Sequence, residues 1–202
     1  MSLPRRLTLA ARDELAIEPI GDLESLRHDH RHVEARTLPA NREVILEGVE
    51  GNAVEIAAEI DTGSAQMVEL NVLRSAGKQE YTRIAFYRRR GYIDWDRSDG
   101  WARINDARES LITIDTAYSS ELPDVESRAP EIAPFYLPPN ETLKLRVFVD
   151  KSVVEVFAND RQCLAVRVYP GREDSVGVSL RAQGADAALR SLDVWQMHTI
   201  YE

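Results

Sequence analysis

Residues 142–170, TLKLRVFVDKSVVEVFANDRQCLAVRVYP, restrict the fold more than any other stretch. Leu143, Leu145, Val147 and Val149 alternate with Lys144, Arg146, Phe148 and Asp150, the period-2 pattern of a strand with one face in a core. Asp150-Lys151-Ser152 is a short polar turn, and residues 153–158 are rich in β-branched and aromatic side chains, which favours a second strand. Asn159-Asp160-Arg161 supplies side chains that tolerate left-handed backbone. Leu164, Val166 and Val168 then alternate with Ala165, Arg167 and Tyr169 before Pro170-Gly171 ends the run. The expectation is a meander of consecutive strands.

The rest of the chain has the same habit. Arg6–Leu9 and Leu15–Ile17 read as a hairpin turning at Arg12-Asp13-Glu14, and residues 33–38 as a strand stopped by Pro39. Val54, Ile56, Ala58 and Ile60 alternate with polar or small neighbours, as do Val68, Leu70 and Val72, then Thr82, Ile84 and Phe86, and later Val176, Val178 and Leu180. Residues 110–116 and the run of Leu192, Val194 and Gln196 add two more strands. Segments 97–107 and 119–139 read as loops; the second holds Pro130, Pro134, Pro138 and Pro139, which interrupt regular structure. Only residues 22–27, with Asp22 as a cap, suggest a helical turn. Short strands at roughly ten-residue spacing, separated by Gly, Pro, Asn or Asp, predict an all-β chain. The fold expected is an antiparallel two-sheet β-sandwich of concanavalin A-like or jelly-roll type, with about ten to twelve strands.

Composition narrows function by exclusion. A formal net charge of −9 on 202 residues disfavours nucleic acid and anionic membrane as partners. Arg88-Arg89-Arg90 beside Gly91 reads as a solvated hairpin turn rather than a phosphate site. Cys163 is the only cysteine, so neither an internal disulfide nor a multi-thiolate metal site can form. His28, His30 and His32 stand at alternate positions. On a strand they would point one way yet lie along a line, so an exposed linker is favoured over a metal site.

FVDKSVVEVFAND followed by a strand ending Val-Tyr-Pro resembles the signature of the C-terminal β-sandwich of glycoside hydrolase family 32, the invertases, levanases and inulinases. The residues carrying the motif are Asp150, Lys151, Ser152, Glu155 and Phe157. Leu3–Leu9, residues 23–27, Asp96-Arg97-Ser98 and Val194–Met197 fit the same family in the same order. Lys151 stands where the family more often has Arg, and Arg161 where it commonly has Gly. The resemblance implies residues 1–32 as a linker and lead-in hairpin from a catalytic β-propeller of the same parent chain, and 33–202 as the sandwich. It implies a supporting, non-catalytic role. In some family members the sandwich joins dimer contacts, so a homodimer is an alternative partner, as is a fructan or sucrose-type sugar. The parent's compartment, secreted or cytoplasmic, stays open.

The retaining route needs two carboxylic groups flanking the scissile bond. In the family these lie in an Asn-Asp-Pro-Asn-Gly block and a Glu-Cys pair, with an Arg-Asp-Pro motif between. Here Cys163 follows Gln162, and Arg12-Asp13 is followed by Glu14. No catalytic residue, metal or cofactor is therefore expected. Asp150 and Glu155, close to Lys151, read as an ion-pair cluster fixing a turn rather than an acid–base pair. The rival to a supporting role is sugar binding. Tyr92, Trp95 and Trp101 offer flat rings, and Asp96 and Arg97 offer hydroxyl partners, although aromatics contribute equally to cores. A chain separated from its propeller should also leave an apolar patch bare near the N-terminal segment or the Pro-rich loop.

Overall fold

The structure, a computed structural model, describes residues 2–10, 15–88, 110–126 and 128–199. A hairpin of β1 (Arg5–Leu9) and β2 (Leu15–Pro19) leads into a 3-10 turn at Glu24–Leu26. Then come β3 (Arg27–Val33), β4 (Arg36–Leu38), β5 (Glu43–Glu50), β6 (Ala53–Asp61), β7 (Met67–Arg74) and β8 (Thr82–Tyr87). β9 (Leu111–Asp115) and β10 (Glu131–Pro134) precede the meander of β11 (Leu143–Asp150), β12 (Val153–Ala158) and β13 (Gln162–Arg167). β14 (Gly177–Gln183) and β15 (Ala187–Met197) complete the series.

Two antiparallel sheets form the sandwich. One runs β10-β9-β8-β7-β14-β5 and the other β13-β12-β11-β6-β15-β3, with β4 also pairing β15. The meander has the expected register: Val147 lies opposite Val156 on β12 and Ile56 on β6. Those side chains belong to one core with Leu70, Ile84 and Leu180 of the other sheet, all buried. Each such side chain stabilises the fold by about 1.5–3 kcal/mol. Phe86 and Phe135 meet edge to face at 6.0 Å inside it.

Several elements differ from the sequence reading, among them the strand expected over residues 33–38, which is interrupted between β3 and β4. His28, His30 and His32 lie in β3, an edge strand paired to β15, and not in a linker; strand pairing thus begins at Arg27, N-terminal to the 32/33 boundary. Their strand carries no apolar alternation because its outer face stays polar and part-exposed. β5 has no period-2 run in the sequence because Gly48, at φ +72°, sits where the pairing with β14 slips register, and a bulge breaks period 2. β10 runs through the Pro-rich segment as an edge strand ending at Pro134, a place where a missing N–H costs no ladder bond. The short turn after Asp22 does form, and the Asp22 carboxylate accepts the Ser25 N–H at 3.3 Å.

Candidate functional site

A second, smaller apolar cluster lies outside the sandwich, on the outer face of the seven-stranded sheet. Phe148 and Phe157 project there, with their rings at 90° and 6.1 Å apart, and Leu23, Leu3, Ile17 and Cys163 pack on them. This cluster fixes the N-terminal segment in place. Backbone bonds reinforce it: the Ile17 N–H donates to the Asp160 carbonyl at 2.6 Å, at the β12–β13 turn.

Glu155 is the polar centre of this clasp. It projects from β12 on the same outer face, is buried, and accepts the Leu3 N–H at 2.8 Å and the Arg5 guanidinium at 3.0 and 2.5 Å. Its cation is therefore Arg5, from β1, and not the neighbouring Lys151. Among the described residues neither Asp150 nor Lys151 joins it, so the expected turn cluster is not assembled. Lys151 instead takes the left-handed turn conformation at φ +51°, and the Ser152 carbonyl accepts the Val168 N–H at 2.9 Å. Phe157 is buried in the clasp. Burial beside Glu155 pushes the Cys163 thiol up to about 12, which leaves it protonated and without nucleophilic character.

The clasp secures only one end of the β1–β2 hairpin. Leu7 lies opposite Ile17 and Leu9 opposite Leu15, so the four share a face. Ile17 is packed, yet Leu7, Leu9 and Leu15 are 62%, 72% and 53% exposed. Leu122, Ile132 and Tyr136, along the Pro-rich segment, are exposed as well. Tyr92, Trp95, Trp101, Asp96 and Arg97 lie outside the described residues.

Two other buried carboxylates are saturated by donors. Glu55 accepts Arg27 at 2.9 and 2.7 Å and Arg146 at 2.6 Å. Glu80 accepts the N–H groups of Gly171, Glu121 and Arg172 and the Ser175 hydroxyl, at 2.6–3.1 Å. Burial alone would raise the Glu80 carboxyl, but the Ser175 hydroxyl and the three N–H groups outweigh it and hold the group below its ordinary range. A general acid needs the opposite shift. None of these acids was singled out by the sequence, because their partners are remote in the chain.

His30 and His32 both donate to the same Asp193 oxygen, at 2.7 and 2.8 Å. Asp193 lies opposite His32 on β15, so histidines at alternate positions of β3 both reach one acceptor. The His32 pKa is raised chiefly by its bond to Asp193. Among the described residues no group of three or more His, Cys, Asp or Glu side chains could hold a metal ion.

On the opposite sheet, Asn71 donates to the Ser179 hydroxyl at 3.1 Å, which donates to Glu43 at 2.7 Å. Arg74 at 3.0 Å and Lys78 at 2.9 Å complete the ring around Glu43. Burial pushes the Glu43 carboxyl up, but Arg74, Ser179 and Lys78 together bring it from 4.5 to about 2. A depressed folded-state pKa contributes stability that is complete above the unfolded pKa and is lost as pH falls through the folded one. Replacing Glu43 by Gln should therefore lower the urea midpoint at pH 7, with the difference from the parent chain narrowing between pH 4.5 and 2. A difference unchanged over that window would contradict this account.

The comparisons with known proteins agree with this architecture. The chain belongs to the family described as glycosyl hydrolases family 32 C terminal, whose model matches residues 22–196. A levanase of Bacillus subtilis is 29% identical over 204 residues, which takes in 99% of this chain and 27% of the levanase. A sucrose-6-phosphate hydrolase of Escherichia coli is 26% identical, covering 98% of this chain and 34% of that protein. The fold matches fructan 1-exohydrolase IIa from Cichorium intybus with a TM-score of 0.80 at 16% identity, over 98% of this chain and 41% of that one. The chain thus spans 27% and 34% of those first two relatives, as one part of larger proteins of the family.

Proposed function

We propose that this chain is the non-catalytic β-sandwich of a fructan- or sucrose-hydrolysing protein, and that it steadies that protein's catalytic domain through the N-terminal hairpin. The observation that carries the reading is the clasp with its bare leucines. One end of the hairpin is fixed to the sandwich by Glu155, while Leu7, Leu9 and Leu15 present apolar surface that nothing in the described chain covers. Exposed apolar surface on a rigid mount marks an interaction site. The catalytic domain of the same parent chain is the occupant that family membership supports.

Two measurements test this. The chain alone should release no fructose from sucrose, levan or inulin; hydrolysis by the purified chain would overturn the non-catalytic assignment. In a chain joined to its catalytic domain, Leu7→Ser, Leu9→Ser and Leu15→Ser together should lower the Tm of that domain while leaving the fold of the isolated sandwich intact. An unchanged Tm would remove the hairpin from the interface. Sizing the isolated chain separates the alternative in which a second copy covers the same stripe.

A further inference from the structure

All four histidines of the chain lie along one seam. His28, His30 and His32 stand in β3, and His198 follows β15, where its backbone N–H donates to the Leu26 carbonyl at 2.8 Å. Among the described strands β3 pairs with β15 alone, so whatever acts on this seam acts on the whole attachment of residues 27–33. Imidazole is the side chain whose ordinary titration falls between pH 5 and 8. Such groups are therefore confined here to a single strand pair.

Their contacts are with one another and with carboxylates. His30 Nε2 and His32 Nδ1 meet on the same Asp193 oxygen. The first proton taken up there makes a neutral hydrogen bond charge-assisted, and the second meets the same anion, so the two rings titrate as a unit. Glu34, 3.8 Å from His32, adds a second negative charge. The His30 ring also lies on Trp195 at 5.0 Å, and Arg27 covers that indole at 4.2 Å. Arg27 is itself held by Glu24 and Glu55. Across β15, Glu59, Lys144, Arg146 and Asp160 border the same depression as Asp193, but Arg146 is bonded to Glu55 and Glu59 to Thr142. At the other end of the seam His28 stacks on His198 at 4.0 Å and meets the Asp29 carboxylate at 3.0 Å.

We propose that the β3–β15 seam is a pH-responsive fastening, in which proton uptake by the His30–His32 pair at Asp193 tightens the hold of the sheet on its edge strand. The inference goes beyond the supporting role and does not rest on it. His32 is raised chiefly by its bond to Asp193. Burial pushes the Asp193 carboxyl up, but the bonds from His32 and His30 outweigh it and hold the group low. A raised histidine contributes stability that is complete below its unfolded value, 6.5, and is lost as pH rises through the folded one. A lowered carboxylate contributes stability lost only as pH falls through its own folded value. The seam is therefore tightest between the ordinary aspartate and histidine ranges and loosens toward alkaline pH. Two charged rings in the His28–His198 stack oppose this, but Asp29 offsets one of them, so the pair bonded directly to Asp193 sets the sign.

The test is amide exchange of the chain at pH 5.5 and 8.0, corrected for intrinsic rates. It is joined to a pH titration of Trp195 fluorescence in Trp95→Phe with Trp101→Phe, which leaves one indole. Local exchange in β3 should be about threefold slower at pH 5.5, in keeping with part-exposed ion pairs, while β7 and β8 should not change. The Trp195 emission should fall on acidification, because a charged imidazole accepts an electron from excited indole more readily than a neutral one. Asp193→Asn should abolish the β3 difference and return the His32 ring protons to the ordinary imidazole midpoint. His30→Gln with His32→Gln should abolish it too, and serves if Asp193→Asn fails to fold; His28→Gln should leave it in place. Equal β3 protection at the two pH values, greater protection at pH 8.0, the same change in β7 and β8, or a difference that survives the double histidine variant would each overturn the proposal.

Discussion

Replacing Glu80 by Ala is expected to lower the unfolding free energy by about 4 kcal/mol, because one buried and three part-buried donors lose their acceptor at once. Glu80 gathers segments that are remote in sequence. It takes the Glu121 N–H from 41 residues away, Gly171 from 91, Arg172 from 92 and Ser175 from 95. Removing it leaves the 119–122 and 170–176 loops without their common anchor. Glu80→Gln keeps one carbonyl acceptor but turns an amide NH2 toward N–H groups, and should cost about 2–3 kcal/mol. The folded-state carboxyl is held low, so its contribution is complete above the ordinary carboxylate pKa and fades as the solution is acidified below it. Urea unfolding at pH 7 and pH 3 reads both effects. A loss under 1 kcal/mol at pH 7 (~1, against the range expected for an orphaned buried donor) would show that water replaces the carboxylate.

The second large effect is expected at Glu55, which lies buried between Arg27 and Arg146 on the outer face of the seven-stranded sheet. Glu55→Ala should cost about 3–5 kcal/mol, since it leaves two guanidinium groups facing each other with no anion between them. The Arg27 pKa is raised chiefly by its hydrogen bond to Glu55, in keeping with that dependence. Arg27 also covers the Trp195 ring at 4.2 Å, so the loss should spread to the β3–β15 pairing and show as faster amide exchange there. Substituting all three, Glu55→Leu with Arg27→Met and Arg146→Met, should recover stability to within about 1 kcal/mol of the parent chain, because no charge is then left buried. If the triple variant is as unstable as Glu55→Ala, the ion cluster contributes through its geometry and not merely through compensation of charge.

The meander was legible because each strand alternates cleanly and each turn carries residues suited to it. Val147, Val156 and Ile56 face the core in the register that alternation requires. The family was legible from the same residues. Strand β7 was only half legible. Val68, Leu70 and Val72 announce one buried face, but Glu69 and Asn71 on the other are buried too, and polar side chains give no local sign of being covered. Glu80 looks like a solvated acid at a Gly-containing turn. Glu155 drew attention, yet its partner Arg5 lies 150 residues away, and no periodicity encodes that distance.

The position of β15 has a consequence for how the chain acquires its shape. In sequence it follows every other described strand, but in space it stands inside the sheet, with β6 on one side and β3 and β4 on the other. Until residues 187–197 have been synthesised, the opening strands of the sandwich have no hydrogen-bonded link to the body of their own sheet. A growing polypeptide therefore carries two open borders until β15 emerges to seam them together.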